Sequence, residues 1–252
     1  MSIATIDVSA AARAEERKAL LASLLRRKAE AQETRHPLSR GQKALWFLHQ
    51  SAPKSPAYNV AFAARVRDTV DVAALARAAQ ALVDRHPQLR STFESVDGEP
   101  VQIVRGHQDA AFAAIDAGGL DEPALAARVQ AEVDRPFDLR TGPLFRLTLF
   151  TAAPDDHVLL LVAHHVVYDA WSLWLNLDEL GRLYAAEAGG ARSLPASERR
   201  TYDAFVAAQE ALLASPEGEA QWEFWKTRLD VTAPPLELPL DRPRPPARGL
   251  GG

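Results

Sequence analysis

Residues 159–173 read LLLVAHHVVYDAWSL. An apolar run with little alternation stops at two adjacent histidines, His164 and His165. It extends back to His157, and a run of that kind predicts a strand buried on both faces. Asp169 follows four residues after His165, and a helix is predicted to start near Trp171, with Leu173, Leu177, Leu180 and Tyr184 on one face. The stretch is thus a core strand, a polar turn and an amphipathic helix. The turn raises two questions: what the histidine pair does, and why Ala170 stands where a tight turn would favour glycine.

Working outward, the chain reads as α/β with strands and helices intermixed. Upstream, a turn at Pro37-Leu38-Ser39 precedes a short helix in PLSRGQKALWFLHQ. Residues 57–68 alternate like a strand, with Val60, Phe62, Ala64 and Val66 on one face. Asp71 is a plausible N-cap for a helix whose Leu75, Ala79, Leu82 and Val83 share a face and which Pro87 ends. LRSTFESVDGEPVQIVRG reads as a hairpin around Asp97-Gly98. AFAAID is a strand, followed by a helix at about 121–134 and a loop into a further strand that ends at the turn APDD. Downstream lie two helices, in YDAFVAAQEALLA and EGEAQWEFWKTRLD. Residues 10–33 read as an Ala-rich charged helix with a stripe of Leu20, Leu21, Leu24 and Leu25. The last segment, APPLELPLDRPRPPARGLGG, is Pro-rich and reads as a linker.

Composition excludes several classes. The 252 residues are 47% hydrophobic and 25% charged, with a net charge of −4 and no basic stripe, which argues against nucleic acid. No uncharged apolar run approaches the roughly 20 residues of a membrane span, and the first residues lack the apolar core of a secretory signal. The expected location is the cytoplasm. The absence of cysteine removes disulfides, thiolate metal sites and cysteine nucleophiles.

A histidine just after a buried strand has a fixed backbone and a ring free to face a cleft, where it can take a proton and pass it on. Asp169 could orient that ring, as in hydrolase triads, or pair with an arginine and hold the loop. GxSxG is absent, so a serine nucleophile is not indicated. What remains is acyl transfer to a substrate amine or hydroxyl. A metal bound by His164, His165 and Asp169 is a rival, but adjacent histidines point apart and no further ligand set is present. The spacing of His164 and Asp169 also matches the H-x4-D signature of membrane glycerolipid acyltransferases. The plainest rival is a satisfied core histidine pair.

AHHVVYDAWSL resembles the HHxxxDG motif of nonribosomal peptide synthetase condensation domains, which share the fold of chloramphenicol acetyltransferase. Four other segments match in order. LSRGQKALWFL resembles the first family motif through Ser39, Gln42 and Trp46. RHPQLRSTF, residues 85–93, resembles RHxxLRTxF, with Ser91 before Thr92 as a departure. YDAFVAAQE and FWKTRLDVTAPPLELPLDRPRP resemble later segments of the first lobe. The resemblance covers about 36–247.

The resemblance implies an α+β sandwich lobe with a mixed sheet and helices packed on it. It further implies the N-terminal lobe of a two-lobed domain, with 1–35 as a leader or docking segment toward an upstream synthetase, 36–232 as the lobe, and 233–252 as the linker to the C-terminal lobe. The implied partners are donor and acceptor carrier proteins, whose phosphopantetheine arms meet in a tunnel between the lobes. No bound cofactor and no metal are implied. His165 falls on the catalytic position, to position or deprotonate the acceptor amine. Asp169 falls on an aspartate expected to pair with Arg85, at a cost of about 3–5 kcal/mol when one partner is removed. His164 and Arg90 are expected to be structural, and Trp46, Trp222 and Trp225 to pack the lobe. Ala170, Trp171 and Ser172 are candidates for the tunnel wall. Alanine at the glycine position costs about 1–2 kcal/mol if φ is positive there; otherwise its methyl narrows the passage. The resemblance leaves three readings: a lobe of an amide-forming enzyme, from a peptide synthetase or a hybrid polyketide–peptide synthetase, that is inactive alone; a carrier-binding fragment; or a free-standing acyltransferase forming an ester or an amide.

Overall fold

The computed structural model describes residues 32–190 and 201–229, with Arg17 and Pro239 as single positions. Of the helix expected over 10–33, Arg17 is helical, 32 and 33 are not, and the rest lies outside the described residues. The Pro-rich segment lies outside them too, apart from Pro239.

Two sheets and six helices carry the described fold. The strands are β1 (Thr34–Pro37), β2 (Asn59–Val66), β3 (Ser91–Val96), β4 (Glu99–Val104), β5 (Ala111–Asp116), β6 (Phe145–Ala153) and β7 (Asp156–His164). The helices are α1 (Arg40–Ser51), α2 (Val72–Arg85), α3 (Glu122–Asp134), α4 (Ala170–Glu187), α5 (Tyr202–Leu213) and α6 (Pro216–Lys226), with a 3-10 turn at Pro87–Arg90.

The larger sheet has the order β2-β7-β6-β5. β2, β7 and β6 are antiparallel, whereas β5 and β6 run parallel. Parallel neighbours need a crossover, and α3 lies on that connection. β7 is interior, with a strand on either side. Residues 160–164 are all buried, which is why its sequence does not alternate. β2 keeps its alternation: Val60, Phe62, Ala64 and Val66 are half-buried, while Ala61, Ala63 and Arg65 are exposed.

The smaller sheet, β1-β4-β3, is antiparallel. Its hairpin turns at Asp97 and Gly98, whose φ values are 52° and 87°. Two successive positive φ values match the strand twist, and Asp-Gly tolerates them best. Phe93 ties this sheet to the body of the molecule, fully buried and donating its N–H to Leu139 C=O at 2.7 Å.

α2 begins at its Asp71 cap, where the carboxylate accepts from Ala74 N–H at 2.9 Å. Its face of Leu75, Ala78, Ala79, Leu82 and Val83 is buried with Leu173, Leu180 and Leu183 of α4 in one core. Burying each such leucine is worth about 1.5–3 kcal/mol. These contacts fix α4 against α2, and with it the turn after β7.

Candidate active site

The site forms where β7 ends and α4 begins. Adjacent side chains on an extended backbone diverge, so the two histidines part. His164 turns inward and is buried. Its Nδ1 accepts the Val166 N–H at 3.1 Å, which places the ring proton on Nε2. The rings of His49, Phe137 and Tyr58 surround it, with centroids 6.0, 6.2 and 6.5 Å away. Burial, with His49 and His165 nearby, pushes its pKa down to about 4. His164 is therefore neutral near pH 7.

His165 is exposed and lines a cleft of about 350 Å³. Its backbone N–H donates to Tyr58 C=O at 2.8 Å. The far side of the cleft comes from Ser39 and Gln42 at the start of α1, His86 after α2, and Tyr202 at the start of α5. Among the described residues no three histidine, aspartate or glutamate side chains cluster as a metal site.

Asp169 is the N-cap of α4, accepting from Ser172 N–H at 2.8 Å and Ser172 Oγ–H at 2.7 Å. The Ser172 N–H is the main reason its pKa lies below the usual carboxylate range, and burial opposes it. Arg85 is the partner expected for Asp169. Arg85 ends α2 and pairs with Glu179, which also meets His86 Nε2 at 2.5 Å. Burial works against that carboxylate, but hydrogen bonds from His86 and Arg85 hold its pKa below the ordinary value. Glu179 lies ten residues beyond Asp169, about 15 Å along the helix axis.

Arg90 binds backbone: Nε donates to Val83 C=O at 3.2 Å and Nη1 donates to Arg105 C=O. It thereby ties the end of α2 to the end of β4. Of the three tunnel candidates, Ser172 lines the cleft, while Ala170 and Trp171 are exposed outside it, Trp171 at 73%. Ala170 is the first residue of α4 and does not have positive φ, so the backbone cost expected of alanine is absent. Trp46 is half-buried against the core. Trp222 and Trp225 were expected to pack but are 61% and 54% exposed. They lie on α6, a short helix whose one buried residue is Gly218.

Two site residues have no signal in the sequence. Tyr168 and Asn176 are buried beside the cleft, and Tyr168 Oη and Asn176 Oδ1 lack hydrogen-bond partners. Burial pushes the Tyr168 hydroxyl up to about 12, and the nearby Asn176 side chain opposes that shift. Both residues read as ordinary turn and helix positions until α4 is folded back on the strand.

Residues 32–252 match the family model described as "Condensation domain". A linear gramicidin synthase chain of Brevibacillus parabrevis is 38% identical over 83% of this chain and 3% of its own length. Phosphinothricin tripeptide synthetase PhsC of Streptomyces viridochromogenes is 37% identical over 83% of this chain and 20% of its own length. The chain therefore spans a small part of these relatives. Among solved structures, the first condensation domain of the calcium-dependent antibiotic synthetase, in complex with a substrate analogue, superposes with a TM-score of 0.70 at 26% identity. That match covers 81% of this chain and 49% of the other. A complex of the X-domain and OxyB from teicoplanin biosynthesis superposes with a TM-score of 0.72 at 26% identity, covering 84% and 47%. The mixed α/β fold, similar to chloramphenicol acetyltransferase, is thus the observed one.

Proposed function

The chain belongs to the condensation-domain family, and on that premise we propose that it is the N-terminal lobe of a peptide synthetase domain joining a carrier-bound acyl thioester to a carrier-bound amine. The observation that carries this reading is the division of labour in the histidine pair. His164 is buried, neutral and bonded to its own turn, while His165 stands at the cleft on a fixed backbone.

In the reaction the acceptor nitrogen attacks the thioester carbonyl. A C–N bond forms, the C–S bond breaks, and the proton lost by nitrogen passes through the His165 imidazole to the departing thiolate. General acid–base assistance of this kind contributes about 10²–10⁴-fold. Asp169 caps α4 in this scheme, and Arg85 with Glu179 fixes α2 to α4. The phosphopantetheine arms belong to the donor and acceptor carrier proteins. The lobe comprises 36–232, with 1–35 as leader or docking segment and 233–252 as linker to the C-terminal lobe, and the enzyme works in the cytoplasm. No described helix is long and apolar enough to cross a membrane.

The test is His165→Ala in the complete two-lobe domain, with loaded carriers and product followed by mass spectrometry. A fall of about 10²-fold or more is expected. A correctly folded variant retaining the parent rate would remove His165 from the chemistry. A second reading applies to this 252-residue polypeptide by itself: carrier binding without turnover. The chain covers 49% of the solved condensation domain with the substrate analogue, and that coverage favours it.

A further inference from the structure

The pair Ser39 and Gln42 does no chemistry in the reaction above, yet both side chains are buried, with 4% and 3% exposure. We propose that Gln42 is a positioning residue for His165. Its carboxamide is used at both ends. Oε1 accepts the Ser39 N–H at 3.0 Å, and Nε2 donates to Val166 C=O at 3.1 Å, across 124 residues of sequence. The partners dictate this orientation of the amide, since one offers a proton and the other a lone pair.

Val166 follows His165 directly, and three hydrogen bonds pin this short segment, two of them to other regions of the chain. The loop before β2 takes the His165 N–H through Tyr58 C=O at 2.8 Å. The His164 ring takes the Val166 N–H at 3.1 Å, and Gln42 of α1 holds the Val166 carbonyl. With the backbone fixed on both sides, the His165 ring is confined to the rotamers that backbone allows. No hydrogen bond holds the ring itself among the described residues, so the root of the side chain is what sets its aim. A glutamate at position 42 could accept from Ser39 but would oppose the Val166 carbonyl oxygen. An apolar residue would leave buried polar groups at both ends unpaired.

Tyr202 extends the network. Its hydroxyl lies 3.0 Å from Ser39 Oγ, which also accepts the Gln42 N–H at 3.1 Å. The start of α5 is thereby joined to the capping box of α1 and, through Gln42, to the histidine turn.

The inference rests on His165 as the reacting group, but its test reads geometry and no turnover. A failure of the rate experiment and a failure here are therefore separate results. Histidine ring ¹H–¹³C spectra of the 252-residue chain are compared with those of Gln42→Glu, Gln42→Met and Tyr202→Phe. In both Gln42 variants the His165 signal is expected to shift and broaden. The signal of His157, at the β6–β7 turn, stays in place, and Tyr202→Phe gives a smaller displacement of the same sign. A His165 signal unchanged in a folded Gln42→Glu protein overturns the proposal. So does equal movement of His157 and His165, or loss of folding by both Gln42 variants, since the bond would then hold the fold and not the histidine.

Discussion

At His164 and His165 a single peptide bond separates a buried ring from an exposed one. The buried ring has a measurable consequence. Its pKa is about 4 in the folded chain against an ordinary value of 6.5. Between those values the unfolded chain binds a proton that the folded chain does not. Stability therefore falls as pH drops from about 6.5 to about 4, by on the order of 3 kcal/mol for this one group. Burial also lowers the pKa of His49, against an opposing pull from Asp138, so it adds to the same loss. His164→Asn keeps an acceptor near the Val166 N–H but cannot titrate. Urea unfolding at pH 7 and pH 5 is expected to show a clearly smaller difference for this variant than for the parent, and an equal difference would mean that His164 is charged when folded. Ala170 gives a second residue-level prediction. It opens α4 without positive φ, so Ala170→Gly restores the family residue without relieving strain. It should lower stability by up to about 1 kcal/mol, read from the same urea curves, because glycine loses more entropy in a helix than alanine. A gain in stability would contradict that reading.

The elements of the fold follow from local pattern, while their junctions depend on tertiary partners. The end of α3 shows the difference. Arg146 of β6 is buried, stacked 3.8 Å above the Phe137 ring, and donates to Arg135 C=O at 2.7 Å and Glu132 C=O at 3.2 Å. Asn59 of β2 donates to Val133 C=O at 2.6 Å. Two strand side chains thus satisfy carbonyls that the end of a helix leaves unpaired. Burial chiefly, helped by Arg135, lowers the Arg146 pKa to about 10, still a cation at neutral pH and favourably placed at a helix C-terminus. Arg146→Met removes those bonds at similar length. A loss of about 1–3 kcal/mol is expected from thermal or urea melts, and a neutral result would mean that water replaces the guanidinium. No periodicity reveals such a cap, because Arg146 reads as one polar residue in an apolar strand. β1 escaped for a related reason: Thr34–Pro37 has no apolar alternation and is a strand only because β4 pairs with it. The Asp71 cap, the Asp97-Gly98 hairpin and the amphipathic faces of α2 and α4 were readable, since each is set by residues within a few positions of one another.

On the scale of the molecule the same rule decides how much of the site the sequence discloses. The histidine turn is contiguous and could be read. Its supports are distant: Gln42 lies 124 residues from Val166, and Glu179 lies 94 residues from Arg85. Identifying Glu179 as a partner of Arg85 requires the register of α4 against α2, which sequence spacing does not supply. The cleft is open to solvent, and the helix that contributes Asp169 and Ser172 to it leaves Trp171, Trp174 and Leu175 exposed at 73%, 61% and 56%. An apolar surface of that kind beside a cleft fits a wall that continues into further protein. Amide formation requires donor and acceptor to be held in line at about 3–3.5 Å, and that alignment supplies about 7–11 kcal/mol of the barrier reduction. On the proposed reading, a single wall with one histidine would assist proton transfer but would not hold two carrier arms in register. The 252-residue polypeptide, mixed with acyl-loaded donor and aminoacyl-loaded acceptor carriers, is therefore expected to form product no faster than the carriers alone. Supplying the C-terminal lobe as a separate polypeptide should raise the rate, and His165→Ala should abolish that gain. Steady product from the polypeptide alone, lost on His165→Ala, would show that one lobe suffices and would overturn the two-wall reading of the cleft.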